Sequence, residues 1–246
     1  MQRLIADTDS LRAAHDFSLD VAGDLGFDKE QPRHRNLVAL YGTQIELSGA
    51  LIVVANNNAG IAVRGLFRNL LEIFVELNNL AESPEYGEYM DAAHLYEWNK
   101  SLKSARDGNP FLASIGDFPD LQNTIDLNEE KLLAYKDRKI RPLNVFEKFQ
   151  RAKMEHEYRS IYNQFSSDAH GNIRSLIDRH FEFNETENDF EVVVYKNYSG
   201  EFDHLYSDAA KLLLVSGVKI CSVLDSSMSE EVSNRLRQFN ESQNTA

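Results

Sequence analysis

Ile61-Ala62-Val63-Arg64-Gly65-Leu66-Phe67-Arg68-Asn69-Leu70-Leu71-Glu72-Ile73-Phe74-Val75-Glu76-Leu77 is the stretch that decides the fold. Val63, Leu66, Phe67, Leu70, Leu71, Phe74 and Leu77 recur every three or four residues, which predicts a helix over 61–82. The apolar positions cover more than half of its circumference. A helix that apolar is surrounded by other helices, so the pattern places it centrally in a bundle. Its narrow polar arc holds Arg68, Asn69, Glu72 and Glu76. Arg68 and Glu72 stand at i and i+4. Facing solvent, such an ion pair contributes only roughly 0.3–0.5 kcal/mol. Facing a second polar ridge, Arg68 becomes a fixed cation and Glu72 its orienter. Arg64, one turn earlier, widens the same basic edge.

The second ridge is at hand in Glu157-Tyr158-Arg159-Ser160-Ile161-Tyr162-Asn163-Gln164-Phe165-Ser166-Ser167-Asp168-Ala169-His170-Gly171-Asn172. Tyr162, Ser166 and His170 fall at i, i+4 and i+8, which stacks them along one side of a helix. Tyr158, Ile161, Phe165, Ala169 and Ile173 form the adjoining apolar stripe. A histidine there can move protons near neutral pH, with a hydroxyl beside it to orient it or to bind a phosphate oxygen. The same spacing also suits polar side chains that satisfy one another at a helix interface. Arg159 lies near Tyr162 on this helix. Arginines converging on His170 would make an anion site; arginines pointing to different surfaces would not.

Outward from these two segments the chain stays helical. Residues 1–28 carry Leu4, Leu11, Phe17 and Val21, and end at Gly23 and Gly26. A second apolar pattern runs from Leu37 to Ala55 and is interrupted by Asn56-Asn57-Asn58-Ala59-Gly60. Ser83-Pro84-Glu85 reads as an N-cap with proline at the first helical position. The helix after it carries Met90, His94, Trp98 and Leu102 as a packing stripe. Residues 109–127 read as a connecting loop tied down by Phe111, Phe118 and Leu121. Asn128-Glu129-Glu130 caps a short helix to about Lys139, and Pro142 opens the next. Phe181, Phe183, Phe190, Val192 and Val194 then alternate with polar residues, predicting a β-hairpin with Glu185 to Asp189 as its loop. Residues 203–225 return to helix. The expected architecture is mainly α: a single-domain helical bundle over 1–228, with a hairpin at about 180–196 inserted before the last long helix. A short C-terminal helix and tail occupy 229–246.

The 246 residues have 42% hydrophobic content and a net charge of −13. That acidity repels phosphate backbones, so stand-alone DNA binding is not expected. Cys221 is the only cysteine, which excludes an intramolecular disulfide. Asp7 comes too early for a signal peptide, and the longest apolar run, Ala50 to Ala55, is far short of a membrane span. A cytoplasmic location away from membranes is the expectation. The chain has no phosphate-binding glycine loop, no G-x-S-x-G, no dinucleotide fingerprint and no histidine pair at metal-ligand spacing. Neither a metal nor a cofactor is expected.

The Arg68-x3-Glu72 helix, the Tyr162-x3-Ser166-x3-His170 helix and the closing amphipathic helix resemble a large bacterial family of helical proteins of unknown function, over roughly residues 37–225. Some of its members are linked to phage defence. That family is in turn similar to the HEPN superfamily, helical domains many of which are metal-independent ribonucleases with Arg-x4–6-His on one helix, usually completed across a homodimer. The resemblance implies a histidine that assists attack of a ribose 2′-hydroxyl on the adjacent phosphate, and an arginine that stabilises the charged transition state. Arg151 to His156 and Arg174 to His180 fit the spacing. His170 has no such arginine upstream, so its arginine would come from another helix, such as Arg68, or from a second subunit.

Two functions are expected, with a small-molecule or nucleotide sensor that uses the same pocket as a third. The first is an intracellular enzyme acting on RNA or a nucleotide. In it His170 is the acid/base, Arg68 the phosphate clamp, Glu72 its orienter, Tyr162 and Ser166 support, and Arg64 and Arg159 bind substrate. The second is a non-enzymatic helical module that binds a copy of itself or a partner protein.

Overall fold

The computed structural model describes residues 2–57, 59–169, 172–194 and 200–244, with side chains from residue 8 to 243 apart from 58, 167–171 and 195–199. In chain order the elements are α1 (Gln2–Asp24), α2 (Pro32–Asn56), α3 (Val63–Glu82), α4 (Tyr86–Arg106), α5 (Ala113–Gly116), α6 (Leu121–Asp137), α7 (Val145–Arg151) and α8 (Glu155–Glu157). A π-helical turn (Tyr158–Tyr162) comes next, then α9 (Asn163–Ala169), α10 (Ile173–His180), β1 (Phe181–Asn184), β2 (Asp189–Val192), α11 (Asp203–Val223) and α12 (Ser229–Asn244). The protein is mainly α, with a single antiparallel hairpin among the described residues. The helices pack as two compact units, one of residues 1–81 and 149–246, the other of residues 82–148.

In the larger unit α1 buries Leu11, Ala14, Ser18 and Val21, spaced 3, 4 and 3 along one face. That face packs chiefly on α11 and α2. The core joins Leu11, Leu51, Val63, Phe67, Leu70, Phe165, Leu205 and Leu214. Each such side chain, fully buried, contributes roughly 1.5–3 kcal/mol. Gly217 is where α11 approaches α2 and α12 closely: a Cβ there would lie 3.1 Å from both Tyr41 Oη and Val232 Cγ1. Val232 is buried, and Leu236 and Phe239 pack against the core, so α12 is an integral helix of this unit. Arg33 at the start of α2 donates to the carbonyls of Leu80 and Ala81, at 3.1 and 2.6 Å. It thereby satisfies carbonyls that the end of α3 leaves open. By length and composition α2 could cross a membrane, a test that core helices also pass. Here it buries Leu37, Tyr41, Gln44, Ile45, Ser48, Leu51 and Ile52.

In the smaller unit α4 pairs with α6 around Leu102, Leu121 and Ile125. Several local expectations change here. The buried face of α4 is Tyr86, Ala92, Asn99, Leu102 and Ala105, so of the expected stripe only Leu102 is fully buried; His94 and Trp98 are exposed. Ser83 does not cap the backbone; its Oγ donates to Glu85 Oε2 at 2.7 Å, and α4 begins at Tyr86. The connection after α4 is not a loop to residue 127. Asn109 caps a 3-10 turn at Pro110–Leu112, α5 comes next, and α6 starts at Leu121. Phe111 is 93% exposed and ties nothing down, whereas Leu121 is buried. Asn128 is a buried residue in the middle of α6, not a cap. Pro142 precedes α7 without opening it. Asn144 Oδ1 accepts from the Glu147 N–H and Glu147 Oε2 accepts from the Asn144 N–H, both at 2.9 Å, which is a reciprocal capping box.

Helices α6 and α7 both end on a lysine in the left-handed region, Lys139 at φ +61° and Lys153 at +58°. At each the next N–H bonds back five residues, Ile140 to Tyr135 and Met154 to Phe149, both at 2.9 Å. This is the Schellman ending, usually made by glycine. The hairpin pairs Phe181 with Val192 and Phe183 with Phe190. Asn184 pairs with Asp189, so the loop is Glu185–Asn188, one residue shorter than expected.

Candidate functional site

Helix α3 projects Arg68 and Glu72 from the polar arc that its apolar stripe leaves over. The segment that meets them is a helical run from Glu155 to Ala169, interrupted by the π-helical turn. One contribution to that turn is Ser160, whose Oγ donates to the His156 carbonyl at 2.7 Å. Such back-bonding competes with the regular ladder and bends helices. The widened turn holds more residues than an α-turn and so shifts the phase of α9 relative to α8. Phe67 on α3 and Phe165 on α9 then meet edge to face, with ring centroids 6.0 Å apart. Tyr162, one turn before Phe165, is set over the polar arc.

Three side chains close a ring there. Arg68 Nη2 donates to Tyr162 Oη at 2.9 Å, and Tyr162 Oη donates to Glu72 Oε1 at 2.9 Å. Arg68 Nη2 and Glu72 Oε1 are 3.0 Å apart. The Arg68 guanidinium carbon lies 5.0 Å from the centroid of the Tyr162 ring, a cation–π contact. Tyr162 is only 4% exposed, against 20% for the Arg68 and 34% for the Glu72 side chain. Behind the ring is an aromatic wall. Tyr158 stacks on Tyr162 with centroids 5.3 Å apart, and buried Phe149 lies 5.1 Å from Tyr162. Burial works against the Arg68 charge, yet the hydrogen bond with Tyr162 and the charge of Glu72 outweigh it and hold its pKa above the ordinary value. Burial pushes the Tyr162 phenol up; the Arg68 bond opposes this and Glu72 reinforces it. Arg68 therefore keeps its charge. It commits Nη2 to the ring while its buried Nε has no partner. An arginine held on one edge by two groups, its side chain still 20% exposed, can receive an anion with little further ordering.

The structure treats the other expected residues differently. Arg64 borders the site: its guanidinium lies 6.0 Å from the Phe165 ring and 5.5 Å from the Phe202 ring, and it pairs with Glu201 at 2.9 Å. Ser166 is half-buried one turn beyond Tyr162, and Arg159 is exposed on the π-helical turn. His170 lies outside the described residues. Arg151 and His156 do not share a helix, because Lys153 ends α7 between them. Arg174 and His180 do share α10, where His180 Nδ1 is 3.1 Å from the Val193 carbonyl and ties the helix to the hairpin. Among the described residues no three His, Cys, Asp or Glu side chains group as they would around a metal ion.

Reading the sequence alone missed Glu201, Phe149 and Tyr158 as parts of the site's surroundings. Glu201 sits in a turn with no periodic signal, and the two aromatics read as ordinary core. No curated protein and no solved structure matches the chain. A match over residues 34–189, which spans α3, the π-helical turn and α9, shows that the chain belongs to the family of unknown function DUF5677.

Proposed function

We propose that this protein acts on RNA or a nucleotide through an anion site centred on Arg68, with His170 as the proton-transferring group. The observation that carries the reading is the meeting of Arg68 and Glu72 with Tyr162, from helices far apart in the chain. The guanidinium is charged, pinned on one edge and supported by an aromatic ring, which suits a phosphate oxygen whose charge grows during transfer. His170 stands two helical turns beyond Tyr162 in the sequence and one beyond Ser166, which is the spacing that would bring an imidazole to the same ridge. The resemblance to the HEPN ribonucleases agrees with this division of roles, with the arginine supplied by α3 instead of the histidine's own helix. The test is incubation of the purified protein with total RNA and with oligoribonucleotides, alongside His170→Ala. Cleavage by wild type that His170→Ala loses by about a hundredfold or more is the expected result. Identical RNA patterns from the two proteins would overturn the reading.

A second reading, a helical module that binds a second copy of itself, is favoured by the hairpin. Phe181, Phe183, Phe190 and Val192 share one face of it and are 42–67% exposed. An apolar face of that kind is uncommon on a surface that stays alone. Sedimentation of wild type against Phe183→Glu checks it. A dimer that the substitution dissociates is expected, and a wild type that stays monomeric at all concentrations rejects it.

A further inference from the structure

The charged ridge of α3 has an open neighbour. Arg64, Arg68 and Glu72 stand at i, i+4 and i+8, which stacks them along one side of the helix. Gly65 and Asn69 run beside them, one residue further round, and Asn69 is exposed. Gly65 lies in the first turn of this 20-residue helix, where glycine is less favourable than alanine. Its backbone is not left-handed, so no turn requires it. Packing does not require it either: among the described residues a Cβ there would meet nothing within 4 Å. Gly49 and Gly217 are different, since a Cβ at either would come within 3.1 Å of a side chain on a neighbouring helix. What Gly65 leaves is bare helix surface beside two arginines, and bare backbone lets a ligand come close.

The second observation is what Arg64 holds. Its guanidinium meets the Glu201 carboxylate at 2.9 Å, and the two side chains are 32% and 41% exposed, so an anion from solution can reach the pair. A carboxylate on a guanidinium takes the place that a phosphate oxygen would take. The two guanidinium groups follow one order along the facing segment: Arg68 lies over Tyr162 and Arg64 over Phe165, one turn further on. Residues four apart on a helix stand about 5–6 Å from each other, the order of separation of neighbouring phosphates along one nucleic-acid strand. The Arg64 end is also the N-terminal end of α3, whose dipole favours an anion. In a chain of net charge −13, this is a local cationic line.

We propose that the polar side of α3 is a track for a single strand of RNA, with one phosphate at Arg68, the next at Arg64 in the place that Glu201 holds, and the sugar–phosphate chain lying over Gly65. This assignment rests on the Arg68 reading and narrows its substrate from any nucleotide to a strand. Glu201 is then a built-in competitor: a strand must displace it, and a mononucleotide held at Arg68 need not. Contacts of this kind set position along the strand without reading its sequence.

Calorimetric titration of the full chain with UMP and with a 5′-phosphorylated uridine dinucleotide tests it. The dinucleotide carries 2′-O-methyl groups, so attack by a 2′-hydroxyl cannot cleave it. Wild type should bind it with a Kd below about 1 mM and at least about tenfold more tightly than UMP. Glu201→Gln should tighten the dinucleotide about tenfold and leave UMP unchanged. Gly65→Ala, and more strongly Gly65→Gln, should raise the melting temperature and yet weaken the dinucleotide, by about tenfold for glutamine. Gly42→Ala is the control, at a helical glycine of α2 that is equally open but has no arginine within a turn. It should raise the melting temperature and leave binding alone. Arg68→Ala should weaken both probes; if it weakens neither, the Arg68 reading fails and the track fails with it. If Arg68→Ala weakens both while Glu201→Gln leaves the dinucleotide unchanged, or Gly65→Gln binds it as wild type does, the anion site stands and the track is overturned. No binding of either probe at about 1 mM by wild type or by Glu201→Gln overturns both.

Discussion

Replacing Tyr162 by phenylalanine removes one oxygen and leaves two charged groups to readjust. The phenol accepts from Arg68 and donates to Glu72, so its loss breaks two hydrogen bonds to charged partners in a half-buried setting. Tyr162→Phe should lower stability by about 1–3 kcal/mol, seen as a lower urea midpoint at unchanged slope. A double-mutant cycle with Arg68→Lys should show coupling of about 1 kcal/mol, because lysine keeps the charge but loses the planar fork. Additive effects would mean that the two side chains do not act on each other. The residues of this ring were readable in the sequence as two helical spacings, Arg68 with Glu72 and Tyr162 with Ser166. That they meet was not readable. Their contact depends on the phase of a helix reset by the turn at 158–162, and no local pattern in Tyr-Arg-Ser-Ile-Tyr announces a π-helical turn.

At the scale of the helix end, Glu147 is held by the Arg141 guanidinium and by the Asn144 N–H. The Arg141 bond and the backbone N–H pull its pKa from the usual 4.5 to about 2. A carboxylate with a depressed native pKa adds stability that is fully present above about pH 4.5 and is lost as pH falls toward 2. Glu147→Gln should therefore cost about 1 kcal/mol near neutral pH, the usual size of a cap. The gap to wild type should close between pH 4.5 and 2. A gap that persists at the acid end would show that charge is not its source. The lysine endings of α6 and α7 give the opposite sign. Both residues adopt a left-handed conformation that glycine reaches freely, so Lys139→Gly should stabilise by roughly 0.5–1 kcal/mol in thermal melts. A lowered melting temperature would count against this. Helix ends were the least legible part of the sequence for the same reason. Ser83 and Asn128 have the right side chains for caps but not the right neighbours, and Asn144 with Glu147 has both. Periodicity was more reliable where one face is fully buried, as in α3. It misled in α4, where burial falls on Ala92, Asn99 and Ala105, small or polar residues that carry little apolar signal.

For the molecule as a whole, two packing units mean two cores of unequal size. Leu102 is buried among Leu121 and Ile125 in the smaller one. Leu102→Ala should cost about 2–5 kcal/mol there, and hydrogen exchange should rise along α4 and α6 while α1 and α11 keep their protection. Exchange rising equally in all four helices would show the units to unfold as one. The helical class and the hairpin before the last long helix were plain from periodicity and from its change near residue 181. The division into units was not, since no glycine- or proline-rich linker marks residue 82 or 148 and the boundary is a matter of which helices touch. One consequence lies in the order of synthesis. The principal partner of α1 is α11, which leaves the ribosome some 180 residues later, whereas residues 82–148 form a contiguous stretch with its own small core. On a growing chain the inserted unit has everything it needs to fold while α1 still lacks its largest contact and α2 lacks one of its two main ones. Arrested nascent chains ending near residue 190 should then resist brief protease treatment over 86–137 and be cut within 2–56.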